Sequence, residues 1–134
     1  MSTPFTAHFT KEELFWLPKW NRYATKEDGL TEEYFNNLEF LCRKLDIIRD
    51  YLGKPIIIIN GFRPKLYNRL VGGAPKSAHM EGKAIDWTCP SYGTCDKIRY
   101  ELGPHLIFLG IRCEDLPGSN WIHIDTKGKG FFRP

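Results

Sequence analysis

Between Thr31 and Gly53, apolar residues recur at three- and four-residue steps: Phe35, Leu38, Leu41, Cys42, Leu45, Ile48 and Leu52. That spacing lays one continuous stripe along a helix. Thr31 stands where an N-cap belongs, Glu32 and Glu33 complement the positive end of the helix dipole, and Gly53 supplies the stop. Upstream, Thr10-Lys11-Glu12-Glu13 reads as a capping box. It opens a short helix expected to run to about Trp16 and to end before Pro18.

The period then changes. Pro55-Ile56-Ile57-Ile58-Ile59-Asn60-Gly61 is a β-branched run closed by turn formers, which predicts a strand buried on both faces. Arg63-Pro64 leads into a short helix over Lys65 to Leu70, broken at Gly72-Gly73. Lys83 to Thr88 reads as a second strand and Ser91 to Leu102 as a helix ended by Gly103. Leu106 to Cys113 reads as a third strand, the alternating Trp121 to Thr126 as a fourth, and Gly128 to Pro134 as a closing tail. Helices precede strands without a βαβ rhythm. The expected fold class is therefore α+β, a mostly antiparallel sheet packed by N-terminal helices. With 134 residues, no internal repeat and no linker, a single domain over 1–134 is expected.

Composition narrows the function classes. Hydrophobic residues make up 42% and charged residues 26%, as in ordinary soluble globular proteins. The net charge of +3 comes from scattered residues with no run of five like charges, so no nucleic-acid partner is expected. No segment approaches the roughly 18–20 apolar residues that cross a bilayer, so no membrane partner is expected either. Met1 to Thr10 lacks the basic-then-apolar order of a secretory signal, which predicts synthesis in the cytoplasm. Cys42, Cys89, Cys95 and Cys113 form no C-x-x-C pair. Reduced, partly buried thiols are the expectation, with a Cys89–Cys95 disulfide across the intervening loop as the alternative.

The chemistry concentrates in two stretches, Ser77 to Asp86 and Trp121 to Asp125. His79, Asp86 and His123 supply two nitrogens and an oxygen, a donor set that leaves the fourth position of a tetrahedral zinc open to water. His79 falls in a turn, Gly82 allows the chain to reverse, and Asp86 lies on the strand that follows. A charge between Ile85 and Trp87 needs a partner or a metal. His123 and Asp125 share one strand face with Trp121, while Ile122 and Ile124 point the other way.

Gly61-Phe62-Arg63-Pro64, Asn68, Gly72-Gly73, the pattern S-x-H-x-x-G-x-A-x-D over Ser77 to Asp86, and Trp121-Ile122-His123-Ile124-Asp125 stand in order along the chain. Together they resemble the zinc D-Ala-D-Ala carboxypeptidases and related peptidoglycan endopeptidases, whose metal fold is shared with the hedgehog signalling domain. The resemblance implies that His79, Asp86 and His123 bind Zn2+. It also implies that Arg63 meets a carboxylate of the peptide stem and that Ser77 helps orient it, in keeping with the bidentate fit of arginine to carboxylates.

One position departs from the pattern. Several members of that family carry an acidic residue three positions before the last histidine ligand, as general base; here that position is Asn120. Asp125 is the nearest substitute by sequence, or else a partner that orients His123. Glu114, Asp115 and Glu81 are the other candidates. The expected function is zinc-dependent hydrolysis of an amide bond in peptidoglycan stem peptides, as a carboxypeptidase or endopeptidase. The expected setting is a monomeric, phage-encoded lysin or virion-associated protein acting on the cell wall. The alternative is a non-catalytic zinc-bearing module that binds wall peptide or a protein partner.

Overall fold

The computed structural model describes residues 3–133; Met1, Ser2 and Pro134, the ends of the expected domain, lie outside the described residues. Helix α1 (Lys11–Phe15) begins with the capping box: Glu13 N donates to Thr10 Oγ1 at 3.2 Å, and Thr10 N donates to the Glu13 carboxylate at 2.9 Å. A small antiparallel pair follows, β1 (Trp16–Leu17) with β2 (Arg22–Tyr23). Helix α2 (Glu32–Leu52) is capped by Thr31 and ends on Gly53 in the left-handed conformation. Its stripe of Leu38, Leu41, Cys42, Leu45 and Ile48 is fully buried, which makes α2 the backing of the core.

The main sheet has five strands in the order β3 (Ile57–Asn60), β4 (Ala84–Thr88), β6 (Ile122–Asp125), β5 (Arg112–Glu114), β7 (Gly130–Phe132). Every pairing is antiparallel except β5 with β7. Ile85 and Trp87 of β4 and Ile122 and Ile124 of β6 face the core, so the site residues of those strands occupy the opposite face. Helix α3 (Lys65–Leu70) follows β3, and α4 (Cys95–Leu102) and α5 (Leu106–Leu109) follow β4. Among the described residues no helix is long and apolar enough to cross a membrane.

Four expectations are corrected. The isoleucine strand is not buried on both faces: β3 is an edge strand, with Ile57 53% and Ile59 42% exposed. A continuous apolar run looks the same whether one face or two are covered. Leu106 to Cys113 is not one strand. A helical turn over Gly103–His105, with Pro104 in it, continues into α5, where Leu106 and Leu109, three apart, are buried and Phe108 is 93% exposed. Only Arg112–Glu114 is extended. The expected helix from Ser91 starts later, at Cys95, because Thr94 caps it by accepting from Lys97 N at 3.1 Å. Finally, the closing tail forms β7, paired in parallel with β5.

All four cysteines are free and buried, as expected for reduced thiols. Burial pushes the Cys42 and Cys113 thiols up to about 12, so both are protonated, inert core residues. Cys89 Sγ is satisfied by the Pro55 carbonyl at 3.1 Å.

Candidate metal centre

Neighbouring strands bring the site together in one row. β4 pairs with β6 so that Asp86 lies opposite His123, and β3 pairs with β4 so that Asn60 lies opposite Asp86. The second pairing depends on an irregularity. Ile57 pairs with Thr88 and Ile58 with Trp87, but the register shifts before Asn60. Without that bulge Asn60 would fall opposite Ile85, on the core face. With it, Asn60 Nδ2 donates to Asp86 Oδ2 at 3.1 Å.

His79 comes from outside the sheet. It sits in a single helical turn, Ala78–Glu81, capped by Ser77, whose Oγ accepts from His79 N at 3.2 Å. Gly82 ends that turn at φ +71°. A Cβ there would also run into the Tyr34 carbonyl of α2, so glycine is required on two counts. The chain thus doubles back into β4 and delivers Asp86 to the same point as His79.

The ligand atoms of His79, Asp86 and His123 all lie within 4.8 Å of one another, the one such group among the described residues. Asp86 Oδ1 is 2.8 Å from His123 Nδ1, and Asp86 Oδ2 is 3.1 Å from His79 Nε2. Ligands roughly 2.0–2.1 Å from a tetrahedral zinc are separated by about 3.3 Å, so only small side-chain shifts are needed to accept the ion.

The second nitrogen of each ring is already committed. His79 Nδ1 donates to the Gly61 carbonyl at 2.9 Å, which fixes the tautomer and leaves Nε2 as the ligand. That Nε2 is buried and makes no hydrogen bond, an unusual state for a histidine that is only 1% exposed. His123 is held the other way round: Nε2 donates to Asp125 Oδ2 at 2.8 Å, leaving Nδ1 for the metal. The residues present fit a zinc ion.

Charge in the site is strongly coupled. Burial opposes ionisation of Asp86, but attraction from His79 and the hydrogen bond with His123 outweigh it, holding its carboxyl well below the usual range. Burial likewise opposes a charged His123, yet hydrogen bonds to Asp125 and Asp86 push its pKa up to about 9.

A cleft of about 530 Å³ opens over this row, its lining including Ile59, Asn60, Arg63, Ser77, Glu114, Asn120 and Trp121. Arg63 is largely buried. Its Nη1 donates to Asn68 Oδ1 at 3.3 Å, its Nη2 lies 3.7 Å from Asp86 Oδ2, and its Nε has no partner. Asn68 in turn donates to the Ala74 carbonyl at 2.9 Å, tying the Gly72-Gly73 loop beside the guanidinium. Arg63 lines the cleft, and a desolvated guanidinium there is suited to an anionic group.

The candidate bases separate clearly. Asp125 is 1% exposed and lies behind His123, with Oδ1 accepting from Arg112 Nε at 2.6 Å and from Lys127 N at 3.0 Å. That placement matches the orienting role, and Asp125 does not line the cleft. Asp115 is held by Arg133 at 2.9 Å, and Glu81 faces Lys127 at 3.9 Å. Glu114 lines the cleft, as does Asn120. Asn60 and Arg112 gave no signal in the sequence, because both depend on strand register.

Comparison with curated proteins finds no match. A family model described as Peptidase M15 matches residues 7–125, a span that contains the three ligand candidates, Arg63, Ser77 and the whole cleft. On that match, the chain belongs to the zinc D-Ala-D-Ala carboxypeptidase-like peptidase M15 family, whose members are typically zinc-dependent metallopeptidases.

Proposed function

We propose that this protein hydrolyses an amide bond in bacterial peptidoglycan stem peptides, with zinc held by His79 Nε2, His123 Nδ1 and an Asp86 oxygen. The observation that carries the reading is the union of these three donors with a partly unsatisfied Arg63 in one cleft. Bound there, zinc would supply a Lewis acid for the scissile carbonyl and lower the pKa of a water nucleophile.

The chain's own residues do the rest. Arg63 pairs with a substrate carboxylate, as offered by a D-alanyl terminus or a D-amino-acid side chain of the stem. Ser77 holds the His79 turn and borders the same wall, so its role is to position both histidine and substrate. Asp125, braced by Arg112, keeps the His123 ring in the orientation that presents Nδ1. Trp121, 41% exposed at the rim, offers an apolar surface to the peptide. A wall-degrading setting such as that of a phage lysin belongs to the same proposal.

Incubation with purified peptidoglycan tests it. Zinc-loaded protein is expected to release new amino termini or free D-alanine, identified by mass spectrometry, and chelator-treated protein to release none. Equal release after complete metal removal rules out the zinc reading.

The second reading, a zinc-bearing module that binds wall peptide or a protein partner without cleaving, is favoured by one observation. Asn120 lines the cleft and cannot accept a proton. Peptide binding at full zinc occupancy with no turnover would establish that reading.

A further inference from the structure

Resting on the peptidase reading above, the remaining question is which group handles the proton when Asn120 cannot. The sheet answers it. β5 pairs with β6 through Arg112 opposite Asp125 and Cys113 opposite Ile124. Continuing that antiparallel register sets Glu114 beside His123, which itself lies opposite Asp86. Alternation agrees: Cys113 is buried in the core, so Glu114 occupies the same face as the metal ligands. Neighbouring strands are about 4.8 Å apart, so Glu114 stands one strand from the His123 ligand.

The other carboxylates near the cleft are spoken for. Asp86 bridges the two histidines, Asp125 is bound by His123, Arg112 and Lys127, and Asp115 is bound by Arg133. Glu81 faces Lys127. Glu114 lines the cleft, and its carboxylate has no hydrogen bond or ion pair among the described residues. It shares the lining of the cleft with Asn120, the position that lacks the acid.

We propose that Glu114 is the catalytic proton acceptor and donor of this site, supplied by β5. As the water oxygen bonds to the scissile carbonyl carbon, Glu114 takes one water proton. When the C–N bond breaks, its electron pair stays on nitrogen and Glu114 returns the proton there. The products are an amine and a carboxylic acid that ionises to solvent, and Glu114 is regenerated. A carboxylate used this way contributes about 10²–10⁴-fold to rate.

The test compares wild type, Glu114→Gln and the double variant Glu114→Gln/Asn120→Asp on one stem peptide. Zinc content, melting temperature and peptide affinity by calorimetry are measured beside kcat. Glu114→Gln is expected to keep its zinc, its fold and its peptide affinity while losing about 10²–10⁴-fold in kcat. The second change, which puts a carboxylate where Asn120 stands, is expected to recover part of that loss. Glu114→Asp is the companion variant should the glutamine protein fold poorly; it is expected to fall between wild type and Glu114→Gln. Wild-type turnover with unchanged kcat in Glu114→Gln overturns the assignment and leaves the peptidase reading standing. No wild-type turnover at full zinc occupancy overturns both.

Discussion

Asp86 on β4 and His123 on β6 face each other directly across the sheet, with Oδ1 2.8 Å from Nδ1. This contact leaves Nδ1 as the nitrogen that His123 can offer a metal, because Nε2 is occupied by Asp125 at 2.8 Å. The two histidines therefore offer different atoms to a metal, Nε2 in one and Nδ1 in the other. Their surroundings, a backbone carbonyl and a buried carboxylate, enforce the difference.

Asp125→Asn should weaken zinc binding by about 10–100-fold, the usual effect of removing a partner behind a ligand. The fold should survive, because the amide can still accept from Arg112. Competition with a chromogenic chelator measures the change. An Asp125→Asn protein that binds zinc as tightly as wild type, yet loses turnover, would return Asp125 to the role of base.

Zinc binding should release a proton near neutral pH. The His123 pKa is raised from 6.5 to about 9, so in chelator-treated protein the ring carries a proton that the metal must displace from Nδ1. Affinity should rise with pH up to about 9. Calorimetry in buffers of differing ionisation enthalpy reads the release directly, and zinc uptake without it contradicts the assigned nitrogen.

The stability of chelator-treated protein should run the opposite way. A raised His123 pKa stabilises the fold fully below the unfolded value of 6.5, and that contribution is lost as pH rises through about 9. Asp86, lowered from 3.8, contributes above that value and loses its contribution as pH falls below it. Urea midpoints should therefore be highest between about pH 4 and 6.5 and decline towards pH 9. A midpoint that climbs over that upper range contradicts the coupling.

Arg63→Lys should cost about 1.5–3 kcal/mol in substrate affinity, since an ammonium cannot reproduce the two-pronged pairing of a guanidinium with a carboxylate. Substrates lacking the carboxylate should not distinguish the two proteins. Steady-state kinetics on a peptide acid and its amide separate these outcomes.

Gly82→Ala should destabilise the protein by about 2–3 kcal/mol, because the residue is left-handed and presses on the Tyr34 carbonyl. Chemical denaturation reads this. The same change at Gly29, also left-handed but with open space around it, should cost less.

What the sequence revealed depended on the range of the interaction. Helix α2 was legible from end to end, since stripe, Thr31 cap and Gly53 stop are all local signals. The His79, Gly82 and Asp86 turn was legible for the same reason, because its signals fall within eight consecutive residues. α5 was misread because Leu106 to Leu109 is too short to show a period, and burial of Leu106 and Leu109 alone decides it. Asn60 and Arg112 were invisible. One reaches the site through a bulge on β3 and the other through the pairing of β5 with β6, and neither register is written in local sequence. Glu114 stood among four candidate bases until that same register separated it from Asp115, its chain neighbour.

The most direct measurement is a crystal structure of zinc-loaded protein with anomalous diffraction recorded at the zinc edge. One strong peak is expected at the floor of the cleft, roughly 2.0–2.1 Å from His79 Nε2 and His123 Nδ1 and bonded to an Asp86 oxygen, with its fourth position open towards Glu114. Zinc found elsewhere, or bound through His123 Nε2 with Asp125 displaced, would contradict that placement.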